Sequence, residues 1–439
     1  METKTGYTMK DGYHYRKKTK ISFGLAALLS GCILTFFLYV IWKDAAVPEL
    51  TVIALHRDAA VISGKGAEAD GSIVRIKQGG RYRIEGELED GQIYVDCEDD
   101  GAVFLELNGV HIENPSDAAI YIEHAEHTTI LLEEGTANRL QSGRKKEKGG
   151  DGAVIYANDD LLLTGAGELL VIGRLNHGIQ SKGSLRIDGG KIEVEAVGNA
   201  VKGKDSVIIG GGDFRISAAG KGIQAKHELF ITGGNFTIAE SEEGLEANQV
   251  IIEGGVFDIY AEDDGINANG GEDKQKKKPS EDIVETMPNL IIRGGLLHIN
   301  AEGDGLDSNG NLLIEGGEIV IDGPVKDDDG PLDYGKENDG VCKITGGIVL
   351  AVGSSGMAET FDESSGQCSF RCLFEESYEA GSEIVIADAD GKELYRHTAA
   401  KTGASVVFSS PALVQGGTYT LRVGTRTVEI VQDSVSTGK

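Results

Sequence analysis

One short phrase recurs along this chain, and its chemistry changes from copy to copy. It reads HGIQ at 177–180, NAVK at 199–202, KGIQ at 221–224, EGLE at 243–246, DGIN at 264–267 and DGLD at 304–307, with a last relative, DGVC, at 339–342. The first position therefore runs His177, Asn199, Lys221, Glu243, Asp264, Asp304, Asp339, and the fourth runs Gln180, Lys202, Gln224, Glu246, Asn267, Asp307. From Glu243 onward both positions carry oxygen donors, flanked by Glu242, Glu262, Asp263 and Glu302. Carboxylates stacked roughly 5 Å apart repel by about 1–3 kcal/mol at intermediate permittivity. A divalent cation removes that repulsion. Calcium (Ca2+) suits such a set because it takes six to eight oxygen ligands from carboxylates, amides and carbonyls in flexible geometry. The expected ligands are Glu243, Glu246, Asp263, Asp264, Asn267, Asp304, Asp307 and Asp339, with Asp327-Asp328-Asp329-Gly330 as a further candidate. The competing reading is solvated turn residues, since Asp-Gly and Asn-Gly favour turns in any case. The spacing is neither an EF-hand loop nor a nonapeptide calcium repeat.

Two further chemistries belong to the same edge. Lys202 and Lys221 lie just upstream of the acids, and a lysine with a depressed pKa beside a metal could abstract the proton α to a uronate carboxylate. A solvated lysine paired with neighbouring acids is the plainer alternative. Tyr260, Tyr334 and Lys221 are the residues expected to touch a sugar, with Tyr121 and Tyr156 as weaker stacking candidates. His177 reads as a surface residue. No HExxH, GxSxG, P-loop or paired CxxC motif is present.

The elements that must position these residues follow from periodicity. Gly pairs fall at 189/190, 211/212, 233/234, 254/255, 294/295, 316/317 and 346/347, a period of 21 to 22 residues with two insertions, 270–288 and 323–339. Around each pair apolar and polar residues alternate, as in Leu185, Ile187, Ile192 and Val194, which is the period of a strand. Units this small bury an apolar face only by stacking. The pattern predicts an all-β chain: a right-handed parallel β-helix, a solenoid with ~22-residue rungs rising roughly 4.8 Å each. Residues 51–141 read as its irregular N-terminal rungs. Cys342 falls in an aliphatic column and reads as a core residue, and Asn248, Asn269 and Asn309 read as an amide ladder. After about residue 366 the period stops and short alternating runs predict a small C-terminal antiparallel β module.

Charge and hydropathy bound the rest. The chain has 439 residues and a net charge of −29, and its first 20 residues hold six basic side chains against two acidic ones, so the remainder carries about −33. Such a surface repels nucleic-acid phosphates, which excludes a DNA- or RNA-binding role. Ile21 to Trp42 is an apolar run long enough to span a bilayer with the basic cluster on its N-terminal side. The expected organisation is a basic cytoplasmic tail at 1–20, a single-pass transmembrane signal anchor at 21–42, a β-helix at 43–365 and the β module at 366–439. The ectodomain is then extracellular, on the cell membrane. Leu29-Ser30-Gly31-Cys32 also reads as a lipobox, which leaves a lipoprotein acylated at Cys32 as the alternative. The five cysteines are too scattered for a disulfide framework, although Cys368 and Cys372 are close enough for a local bridge.

The units KGIQAKHELFITGGNFTI, DDGINANGG and GDGLDSNGNLLIEGGEI, with the C-terminal VVFSSPAL and GGTYTLRVG, resemble the carbohydrate-binding β-helix family of clostridial cell-surface proteins over most of residues 50–425. The resemblance implies a pectate-lyase-like fold, bound calcium, and binding of acidic plant polysaccharide and cellulose without clear lyase activity. The positions matching the family's acidic motif are Asp263, Asp264, Asn267, Asp304, Asp307 and Asn309. The expectation is therefore a membrane-anchored, calcium-dependent protein that binds polygalacturonate-like or cell-wall polysaccharide. A calcium-dependent polysaccharide lyase with a Lys base and a purely structural surface solenoid are the alternatives.

Overall fold

The computed structural model describes residues 49–99, 101–143, 152–269 and 287–439. The expected tail at 1–20, the apolar run at 21–42 with Cys32, and most of the Lys-rich stretches 142–152 and 270–288 lie outside the described residues. Every element longer than a single turn among those described is a β-strand.

Alternation builds the strands. In Glu228–Ile231 the side chains of Leu229 and Ile231 are buried and Phe230 is not, and Asn289–Ile292 repeats the pattern with Leu290 and Ile292 inward. Parallel pairing then places equivalent residues of successive units side by side: Leu185 against Val207, Val207 against Leu229, Leu229 against Val250, Val250 against Leu290, Leu290 against Leu312 and Leu312 against Cys342. Cys342 is fully buried there. Phe214, Phe236 and Phe257 form a second column, their rings stacked 4.8 and 4.5 Å apart and nearly parallel. Burying each such side chain contributes about 2–3 kcal/mol. The Gly pairs make the corners between strands. Gly295 has a φ of +103°, and a Cβ on Gly294 would come within 2.6 Å of the Glu253 carbonyl oxygen, so one position needs the left-handed region and the other needs the missing side chain.

The expected fold class needs correction. The described residues are not the uniform right-handed solenoid with a separate C-terminal module. Six parallel strands instead close on themselves: Val103–Asn114 pairs with Thr128–Leu132, that with Leu161–Gly165, then Leu185–Ala196, Glu168–Gly173, Ala137–Ser142 and back to Val103–Asn114. The physical reason lies in Val103–Asn114 and Leu185–Ala196, which run unbroken through positive-φ corners at Gly109 and at Gly189 and Gly190, so each pairs with two other members of the ring at once. Among the described residues the strands form a 23-stranded, an 11-stranded and a 4-stranded sheet.

Beyond residue 366 the chain is only partly separate. Ser369–Tyr378, Gly403–Ser409 and Ser436–Gly438 belong to the 23-stranded sheet, because Gly403–Ser409 pairs antiparallel with Ile348–Gly353. Only Glu383–Asp388, Glu393–Thr398, Thr418–Val423 and Arg426–Val431 form a sheet of their own. That sheet is tied back through Asp322, a fully buried carboxylate that accepts from the Ala400 amide at 2.8 Å and contacts the His397 and His298 Nε2 atoms at 2.9 and 3.3 Å. Burial alone would raise its pKa, but these partners outweigh burial and hold it well below the usual carboxylate range. Among the described residues no helix is long and apolar enough to cross a membrane. The four described cysteines are free, so the local Cys368–Cys372 bridge is not formed.

The part of the fold that matters for chemistry is the 11-stranded sheet. Its short strands Ile179–Ser181, Val201–Gly203, Ile223–Ala225, Leu245–Glu246, Ile266–Ala268 and Leu306–Ser308 are parallel neighbours. Each is entered through a turn that carries the first residue of the recurring phrase.

Candidate functional site

Backbone bonds fix how those turns stack. Gly244 N–H donates to the Asp264 carbonyl at 3.1 Å, Gly265 N–H to Asp304 at 2.8 Å and Gly305 N–H to Gly330 at 3.3 Å. A Cβ on Gly265 would sit 2.6 Å from the Gly305 oxygen, so the close approach requires glycine. First-position side chains are thereby brought above the backbone of the next turn, and most accept a hydrogen bond from it. Asn199 N–H donates to His177 Nδ1 at 2.9 Å, Lys221 N–H to Asn199 Oδ1 at 3.2 Å, Asp304 N–H to Asp264 Oδ1 at 2.8 Å and Gly330 N–H to Asp304 Oδ1 at 2.6 Å. The Oδ1 atoms of Asp264 and Asp304 are thus in structural use.

Fourth-position residues form the adjoining column by direct pairing, Gln180–Lys202–Gln224–Glu246–Asn267–Asp307. Gln224 Nε2 donates to Glu246 Oε2 at 2.7 Å, and Asn267 Nδ2 donates across to Asp264 Oδ2 at 2.7 Å. The same column continues the other way through Tyr156, Tyr121, Tyr94 and Arg75.

Two carboxylate clusters result. Glu243, Asp263 and Asp264 each offer an oxygen within 4.8 Å of the others, and so do Asp304, Asp307 and Asp333. Glu243 and Asn267 are 5% and 4% exposed, yet Glu243 Oε2 and Asn267 Oδ1 have no hydrogen-bond partner among the described residues. Leaving such oxygens unmet in a buried site costs about 1–3 kcal/mol each, more for a charged one. Burial, with the charge of Glu246, pushes Glu243 up to about 8, although Lys221 pulls the other way. Burial and the charges of Asp264, Asp304 and Asp333 raise Asp307 to about 8. Asp304 rises to about 7 through burial and Asp264, against the Gly330 N–H, and Asp264 to about 6 through burial and Asp263. Buried, mutually repelling acids with unmet oxygens are a donor set that a hard divalent cation fits.

The sequence-predicted residues separate accordingly. Glu243, Asp263, Asp264, Asp304 and Asp307 come together in the two clusters, and Asn267 and Glu246 sit in the column between them. Asp339 does not join them: it is exposed, in a left-handed conformation after the one-turn helix Lys336–Asn338. Tyr334 is 7% exposed and Tyr260 lies on Val256–Ala261, opposite Asn300. Tyr94, Tyr121 and Tyr156 stack on one another at 5.5 and 4.8 Å, with Arg75 over the outer face of Tyr94 and Lys182 near Tyr156, so their ring faces are already occupied. Lys221 is held protonated. Burial lowers its pKa, but the hydrogen bond and charge of Glu243, with Glu246 and Glu242, outweigh that and raise it, which is the reverse of what a catalytic base needs.

Asp333 is the cluster residue that the sequence pattern does not reveal, because 323–339 reads only as an insertion. The signal is Gly330-Pro331-Leu332-Asp333, a disguised copy of Asp304-Gly305-Leu306-Asp307: Leu332 bridges Leu306 in parallel, and Ser308 N–H donates to the Asp333 carbonyl at 3.2 Å.

A protein of Acetivibrio thermocellus (strain ATCC 27405) described as a carbohydrate-binding domain-containing protein is 38% identical over 128 residues, 28% of this chain and 45% of its own length, so this chain spans under half of that relative. A solved structure described as the polysaccharide lyase-like protein from C. thermocellum, gadolinium derivative, matches with a TM-score of 0.43 and 25% identity over 67% of this chain and 97% of that one. The family described as carbohydrate-binding domain-containing protein matches residues 70–330, a span that holds every cluster carboxylate except Asp333. Since that match covers more than half of the sequence, the chain belongs to the carbohydrate-binding domain-containing protein family.

Proposed function

We propose that the acidic turns hold divalent cations, calcium foremost, and that through them the protein binds an acidic polysaccharide of the polygalacturonate type outside the cell. The observation that carries this reading is the pair of unmet buried oxygens, Glu243 Oε2 and Asn267 Oδ1, set among carboxylates that burial has made reluctant to ionise. Glu243, Asp263 and Asp264 would hold one ion, and Asp304, Asp307 and Asp333 another. A bound dication supplies charge neutralisation and open coordination positions for oxygens of a uronate. That reconciles a chain of net charge −29 with an anionic ligand. The protein's own part is positional. Asp264 and Asp304 are fixed by the backbone N–H of the next turn, and Asn267 is oriented by its bond to Asp264.

Retention on immobilised polygalacturonate tests the reading. The protein is expected to be retained with calcium present and released by excess EDTA. Retention unchanged by EDTA contradicts cation bridging, and retention on cellulose alone with or without EDTA points to a neutral-glycan binder.

A further inference from the structure

Lys221 and Glu243 both depart from the pattern that the rest of their column follows, and they do so as a pair. His177, Asn199, Asp264 and Asp304 each accept a backbone N–H from the following turn. A lysine ammonium has no acceptor. At its rung the column gives up an interaction worth about 1 kcal/mol and places a cation beside Glu243 instead. The side chain is only 16% exposed, and its Nζ lies 2.8 Å from Glu243 Oε1 and 3.2 Å from Glu242 Oε2. Glu243 is thereby bound by Lys221 through one oxygen while its other oxygen is unmet. The second cluster, Asp304, Asp307 and Asp333, has no ammonium or guanidinium group within ion-pair distance among the described residues.

We infer that Lys221 is a tethered counter-ion that makes the two carboxylate clusters unequal, so that divalent cations fill the Asp304–Asp307–Asp333 cluster first and the Glu243–Asp263–Asp264 cluster only at higher concentration. The inference rests on the cation reading above and adds the order in which the clusters fill. Three carboxylates against one dication leave a net negative charge at the second cluster. At the first, the Lys221 ammonium, shared between Glu242 and Glu243, offsets part of the charge and already occupies one Glu243 oxygen, so an incoming dication meets its repulsion. If the more weakly held ion is the one that meets the glycan, cation concentration sets how strongly the face binds.

Calcium titration of the full chain by calorimetry tests this directly, with calcium alone as the probe. Wild type is expected to show two steps. Lys221→Gln and Lys221→Met are expected to strengthen the weaker step by about tenfold to a hundredfold, the effect of deleting one charge beside a dication at intermediate permittivity. Lys221→Arg should leave it weak. Lys204→Gln, which removes one exposed positive charge elsewhere, should change neither step. Asp333→Asn should remove the tighter step and spare the one sensitive to Lys221, and the melting temperature of each variant confirms folding. A weaker step that Lys221→Gln and Lys221→Met do not move overturns the inference and leaves the cation reading intact. Absence of calcium binding in wild type and all variants overturns both.

Discussion

In excess chelator the protein is expected to melt at a falling temperature as pH rises from about 5 to about 9, and calcium is expected to abolish most of that fall. Glu243 and Asp307 are pushed up to about 8, Asp304 to about 7 and Asp264 to about 6. In an unfolded chain the same groups titrate near 4. Below about pH 4 both states hold the protons and no penalty exists. Between about 4 and the raised values the folded state keeps protons that the unfolded chain has released, so stability declines with pH, and above about 8 the loss is complete. The four carboxyls titrate as a coupled set. Each tenfold weakening of a carboxyl's acidity corresponds to about 1.4 kcal/mol, and a combined loss of about 4–6 kcal/mol is expected, or about 5–10 °C in a chain of this size. Scanning calorimetry across pH, with and without calcium, reads it. A chelated melting temperature that stays flat or climbs over that range contradicts the proposed origin of the strain.

Asp307→Asn is expected to produce two opposed effects. The side chain is 9% exposed, and it lies in the field of Asp264, Asp304, Asp333 and Glu243. The amide keeps the shape and removes the charge, so the chelated protein should melt a few degrees higher at about pH 8. The same change should weaken calcium at its cluster by at least about tenfold, since a hard cation loses a charged ligand, and it should reduce retention on polygalacturonate. A substitution that stabilises the apo protein while impairing binding marks a site that trades stability for function. If Asp307→Asn instead destabilises the chelated protein and leaves calcium affinity unchanged, its role is packing alone.

Much of this is legible in the residues, and what is not has identifiable causes. The strands and the columns follow from alternation and the Gly-pair period, and Glu243, Asp264 and Asp304 can be aligned because the recurring phrase retains its length. The closed ring of six strands is not legible. It depends on whether a strand continues through the corners at Gly109 and Gly189-Gly190, and a glycine at a corner reads the same either way. Beside the expected Asn248, Asn269 and Asn309 runs an amide series that the pattern does not single out, Gln249–Asn289–Asn311, with Nδ2 of Asn289 and of Asn311 each donating at 2.7 Å. Asn309, whose phrase matches the pattern, is exposed. Asp333 is hidden because glycine and proline replace Asp and Gly in its copy of the phrase, so only Leu332-Asp333 preserves the register. Asp339 carries the Asp-Gly pair, a signature that turns share with ligands. The reach of Lys221 to Glu243 lies in spacing alone, since a side chain one unit away is a neighbour in space.

The most direct measurement is the anomalous difference map of a crystal grown with calcium. Two peaks are expected, one bounded by Asp304, Asp307 and Asp333 and a weaker one bounded by Glu243, Asp263 and Asp264 beside the Lys221 ammonium. A map without density at either cluster, or with calcium only at exposed acids such as Asp339, would contradict the cation site on which the binding proposal depends.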